Sequence, residues 1–122
     1  MLINLTNHPH EKWGVKQKEI ALSQFGSVEN LSFPEIDPLI NIEVVSSIAD
    51  QYLSICITKL AATNDQSNAV HISGEPCFLF QFVSKAKANK LPCICSTTRR
   101  IVTNDNNIKT SIFQFEQFRS YF

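Results

Sequence analysis

Apolar positions recur along this chain with two different spacings, and the alternation between them predicts an order of elements. "MLINLT" is a short apolar opening suited to a central strand, and "NHPHEKW" is the loop that follows it. "GVKQKEIALSQF" has a helical pattern with a modest apolar side (Ile20, Ala21, Leu22, Phe25), stopped by Gly26. "SVENLSF" is a second strand, and the two prolines of "PEIDP" end it. The clearest helix is "NIEVVSSIADQYLSICITKLAAT". There Val45, Ile48, Ala49, Tyr52, Leu53, Cys56 and Leu60 keep the three–four spacing of one buried face. "AVHIS" is a third strand. Pro76 then opens the helix "CFLFQFVSKAKANK", where proline is favoured, and Lys85, Lys87 and Lys90 complement its C-terminal dipole. "LPCICST" is the fourth strand, and "RRIVT", the turn "NDNN" and "IKTSIFQFEQF" form an antiparallel pair.

Strands that alternate with helices imply parallel pairing through right-handed crossovers. The expected fold is a three-layer, Rossmann-like α/β domain spanning residues 1–122, with strand order 2-1-3-4 and the final hairpin extending one side. Ligands of such sheets bind beyond the carboxyl ends of the strands, where the order reverses. Three loops are expected to meet there: Asn7 to His10, Ser73 to Glu75, and Ser96 to Arg100.

Charge narrows the class of ligand. Lys+Arg and Asp+Glu balance at 11 each, so no global field attracts genomic DNA, and an anion must be recognised locally. The opening residues lack the pattern of a signal peptide, and no run approaches the roughly 20 apolar residues of a membrane span, so a cytoplasmic protein is expected. Cys56, Cys77, Cys93 and Cys95 sit in apolar periodic segments and are expected to be reduced thiols packed in the core. Cys93 and Cys95 share a strand face, but no second ligand pair at zinc spacing accompanies them. Neither a metal nor a cofactor is expected.

Candidate chemistry gathers at the three loops. Gly74 and Glu75 precede a helix whose free N–H groups suit an anion, although a carboxylate there would repel phosphate. Glu75 is either a favourable helix-entry residue or a partner for ribose hydroxyls or a histidine. Ser96, Thr97 and Thr98 supply hydroxyls, and Arg99 or Arg100 a planar fork for phosphate; the alternative is a hydroxyl-rich turn with solvated arginines. His8 can exchange a proton near neutral pH or stand idle, whereas His10 is expected to be an ordinary surface residue. Trp13 either stacks on a base or belongs to the core, and His71, inside a strand, is expected to be structural. No P-loop, Rossmann glycine triplet or Ser-His-Asp signature occurs.

Four features carry a resemblance: "NH" (Asn7-His8), "GE" (Gly74-Glu75) before an apolar helix, the strand-ending "STTRR", and the tail "FQFEQFRSYF". In this order the sequence resembles the small stand-alone CRISPR-associated ring nucleases, whose fold is like the CRISPR-associated Rossmann (CARF) sensor domain. The resemblance implies a homodimer that binds a cyclic oligoadenylate, notably the tetra-adenylate, across its twofold axis. It implies metal-independent cleavage by the ribose 2′-hydroxyl, giving 2′,3′-cyclic phosphates and switching off type III CRISPR signalling. Ser96, Thr97 and Arg99 or Arg100 would then hold the phosphate. His8 would serve as general acid or base, and Glu75 would bind or deprotonate the 2′-hydroxyl. The family-like pattern selects Arg100, but two adjacent arginines keep both in play. Two other functions fit the same residues: a non-cleaving sensor or sponge for a cyclic nucleotide, and a partner-binding α/β protein.

Overall fold

A computed structural model describes residues 1–122. Its elements are β1 (Leu2–Leu5), α1 (Val15–Phe25), β2 (Val28–Asn30), α2 (Ile42–Ala61), β3 (Ala69–Ile72), α3 (Pro76–Ala88), β4 (Cys93–Asp105) and β5 (Ile108–Ser120). A single 3₁₀ turn, His10–Lys12, bridges β1 to α1. The five strands form one sheet in the order β2-β1-β3-β4-β5. All neighbours are parallel except β4 and β5, so the fold is α/β and Rossmann-like with a C-terminal antiparallel hairpin, as the pattern predicts.

Strand periodicity divides the core in two. Ile3, Leu5, Val70, Ile72 and Cys93 point to one face, where α2 and α3 pack through Leu53, Phe78 and Phe82. Leu2, Ala69 and Ile94 point to the other, beneath Trp13 and Ala21 of α1 and its lead-in. The second layer is thin because α1 buries one residue, Ala21; Leu22, expected on its apolar side, is exposed. No helix is long and apolar enough to cross a membrane.

The fourth strand differs from expectation. Ser96 to Arg100 do not form a loop at the strand's end; they lie within β4, which runs unbroken for 13 residues. Only Cys93 and Ile94 pair with β3, and beyond them β4 is held by β5 alone, as a projecting two-stranded ribbon. The ribbon closes at Asn106-Asn107, both with positive φ, the pair that a two-residue hairpin turn requires. A bulge between Thr97 and Thr98 leaves Glu116 as the extra residue of β5. It explains why the aromatic residues of "FQFEQF" are spaced two and then three: Phe118 lies opposite Ser96 and Phe115 opposite Thr98.

Candidate functional site

At the carboxyl edge of the sheet, the 3₁₀ turn, the start of α1, the end of β3 and the ribbon enclose an open cleft of about 600 Å³. Its residues include His8, Lys12, Lys16, Ser96, Thr98 and Phe115. The cleft lies where β1 and β3 separate the two directions of winding, the position at which α/β sheets bind ligands. Gly14, the N-cap of α1, has no side chain to satisfy the first-turn amides, so those of Val15, Lys16 and Gln17 have no protein acceptor. Lys12 and Lys16 also line this side of the cleft, and the Lys16 ammonium lies 4.0 Å from Glu116 on the ribbon, so unpaired amides and two basic residues stand together here.

The floor is a hydrogen-bonded row across three adjacent strands. His71 Nδ1 lies 2.9 Å from Asn4 Oδ1, and His71 Nε2 lies 2.7 Å from Ser96 Oγ. Asn4 Nδ2 donates to the His8 carbonyl at 2.8 Å and to Asn30 Oδ1 at 3.0 Å. Both are acceptors, so the Asn4 oxygen must be the atom turned to the imidazole, and Nδ1 must carry the imidazole proton. Nε2 is then a bare lone pair that accepts the Ser96 hydroxyl. Gln17 Nε2 donates to the same Oγ at 3.0 Å. Trp13 covers the ring edge-on, with centroids 5.2 Å apart, and burial pushes the His71 pKa down to about 4. At neutral pH the imidazole is therefore uncharged.

The structure separates the residues singled out in the sequence. His8, Trp13, Ser96 and Thr98 line the cleft, although Trp13 is mostly buried between His71 and Phe118. Asn7 lies in a neighbouring depression with Asn30 and Phe33. Thr97 belongs to the opposite face of the ribbon, where its hydroxyl donates to the Gln117 carbonyl at 3.1 Å. Arg99 and Arg100 are exposed on the ribbon outside the cleft. Arg99 pairs with Glu116 at 3.4 Å, while Arg100 stands opposite the cleft residue Phe113 and donates to Ser111 at 3.0 Å. Glu75 is occupied as the N-cap of α3, accepting from Phe78 N–H at 2.7 Å, and this bond holds its carboxyl below the usual range. Gly74 has φ +154, and a side chain there would run into the Phe33 ring, so packing rather than ligand approach requires the glycine.

Sequence reasoning missed Asn4, Gln17 and His71 as site residues. A signal for the row exists in the strands themselves. Leu2 and Asn4, Ala69 and His71, and Ile94 and Ser96 are each an apolar residue followed two positions later by a polar one. On a strand such pairs share a face, and parallel register sets Asn4 beside His71, while Ser96 lies two residues beyond Ile94, the register partner of His71, and meets the ring through its side chain.

The cysteines hold no disulfide. Cys56 and Cys93 lie in the core, where burial raises both thiols to about 12; Cys77 is exposed, which corrects the expectation of a core position, and Cys95 lines the cleft. No three His, Cys, Asp or Glu side chains are grouped to hold a metal ion.

Among protein families, the model described as the uncharacterized protein MJ1673 family matches residues 1–119. Neither a curated protein nor a solved structure matches the chain.

Proposed function

The chain belongs to the uncharacterized protein MJ1673 family, and we propose that it is a ring nuclease that binds a cyclic oligoadenylate and opens it without a metal, ending type III CRISPR signalling. The observation that carries this reading is the composition of the cleft: free α1 amides, with Lys12 and Lys16 (the latter paired with Glu116) among its lining residues, and hydroxyl and imidazole groups on the floor. That is an environment for a phosphodiester rather than for a neutral metabolite. Phe113 and Phe115 add aromatic surface at its margin, on which an adenine can stack.

The reaction needs no nucleophile from the protein. The ribose 2′-hydroxyl attacks the adjacent phosphorus in line, and the 5′-oxygen of the next nucleotide leaves, giving a 2′,3′-cyclic phosphate. Lys12, Lys16 and the α1 amides stabilise charge on the non-bridging oxygens, and the cleft holds the linkage bent toward attack. His8, exposed at the mouth, protonates the departing 5′-oxygen. Arg99 and Arg100 stand on the ribbon, where they meet the remainder of a ring that spans two protomers. Glu75, held as a cap, is left out of the chemistry.

The test is incubation with cyclic tetra-adenylate in EDTA, with products resolved by chromatography and mass. Linear fragments ending in 2′,3′-cyclic phosphate are expected. An intact ring that nevertheless raises the melting temperature would make the protein a sensor or sponge. An intact ring with no thermal shift would remove the nucleotide reading for this ring size.

A further inference from the structure

The row Asn4–His71–Ser96 has a direction built into it. Each donor and acceptor is set by the one before: the acceptors facing Asn4 Nδ2 orient the amide, the amide fixes the imidazole tautomer, and the tautomer turns the Ser96 proton inward. A serine oxygen has one proton and two lone pairs. The proton goes to His71 and one lone pair accepts from Gln17, so a single lone pair remains, on a half-buried residue that lines the cleft. A histidine buried only for packing would not need to end its hydrogen-bond chain on a group open to ligand. Here the chain runs from the interior to the cleft and stops at an oxygen that can accept one more proton.

We infer that Asn4, His71 and Ser96 form a proton relay, and that Ser96 Oγ accepts the proton of the attacking 2′-hydroxyl. The inference rests on the nuclease reading above and supplies the general base that it lacks. As the O2′–P bond forms, the 2′-hydroxyl proton moves to Ser96 Oγ and the serine's own proton moves to His71 Nε2, leaving an imidazolium bonded through Nδ1–H to Asn4. The P–O5′ bond breaks, and the 5′-oxygen takes a proton from His8. Water later removes the extra proton from His71. Desolvation makes the free imidazole a weak base, and the anionic phosphate beside it raises its basicity once substrate is bound. The other titratable groups lining the cleft are His8, Lys12, Lys16 and Cys95. Gln17, from the first turn of α1, is a positioning residue that holds Oγ in line with Nε2.

Two measurements test the relay. ¹⁵N NMR of His71 reads the tautomer without substrate: a protonated Nδ1 and bare Nε2 at pH 7 are expected, and the opposite tautomer would overturn the relay. Single-turnover cleavage of cyclic tetra-adenylate in EDTA then compares wild type, Ser96→Ala, His71→Gln and the double variant, with binding measured separately. Each single variant is expected to lose about 10²-fold or more in rate. Ser96→Ala, which removes one atom from a half-buried site, should keep its affinity within about threefold, and the double variant should be no slower than the slower single. Wild-type rates in Ser96→Ala, or losses that multiply in the double variant, would overturn the relay while leaving the nuclease standing. Should the wild type leave the ring intact although the expected tautomer is present, the nuclease reading falls and removes the 2′-hydroxyl as the relay's proton source.

Discussion

At the scale of the residue, His71 couples folding to pH in a direction opposite to that of a salt-bridged histidine. It is 5% exposed, and its folded pKa is about 4, against 6.5 for the free side chain. Between those values the unfolded chain holds a proton that the folded protein does not. Stability should therefore fall as pH drops from 6.5 toward 4 and lose nothing further to this group below that. From the 2.5-unit gap (6.5 − 4) the loss is about 3 kcal/mol. Urea midpoints across this window, compared with those of His71→Gln, isolate the effect: the variant's curve should be flatter there. The same residue shows what sequence reading leaves out. A histidine inside a β-branched strand looks structural, and nothing local says that its neighbours across the sheet are Asn4 and, one step further, Ser96.

Caps and a bulge do at the scale of the element what single side chains do at the site. Helix α2 opens on Asn41, whose Oδ1 accepts from Val44 N–H at 3.0 Å, and α3 opens on Glu75 with Pro76 behind it. Because Glu75 spends its carboxylate on Phe78 N–H, Glu75→Ala should cost about 1 kcal/mol of stability and leave ring cleavage at the wild-type rate. Chemical denaturation and the EDTA cleavage assay separate the two effects; a rate loss without a stability loss would return Glu75 to the site. The helices and parallel strands were legible because their apolar periods are clean. The antiparallel pair was legible as well, but the unbroken run of β4 through Ser96–Arg100 was not, because "STTRR" has turn-like composition yet carries its hydrogen bonds through β5. A single bulged residue then places Phe115 and Phe118 in contact, with centroids 5.0 Å apart, beside the cleft.

Over the whole molecule, the most conspicuous departure from a closed globule is that ribbon. From Thr98 to Gln114 its residues are all exposed, Val102, Ile108 (66%) and Phe113 (67%) among them. A two-stranded ribbon is marginal alone, and apolar side chains on both of its strands call for a cover. A second copy of the chain supplies one under the proposed reading, since a symmetric ring fits a twofold assembly. Sedimentation should give a dimer for the wild type and a monomer for Val102→Glu/Ile108→Glu, with the melting temperature of the parallel sheet little changed. A monomeric wild type at micromolar concentration would refute the twofold arrangement.

Sequence by itself determined the alternation of strands and helices, the strand order, the hairpin and the edge of the sheet at which the cleft opens. These follow from local periodicity, proline and glycine placement and the handedness of crossovers, which act over a few residues or over all α/β sheets alike. Only the tertiary structure decided which polar groups meet there. Register set Asn4 beside His71, and the run of β4 past its parallel neighbour carried Ser96 into the cleft and the arginines out of it. Capping took Glu75 away. The Asn4–His71 and His71–Ser96 contacts join residues 67 and 25 apart in the chain, and the apolar–polar spacing within one strand does not say which strand lies beside it.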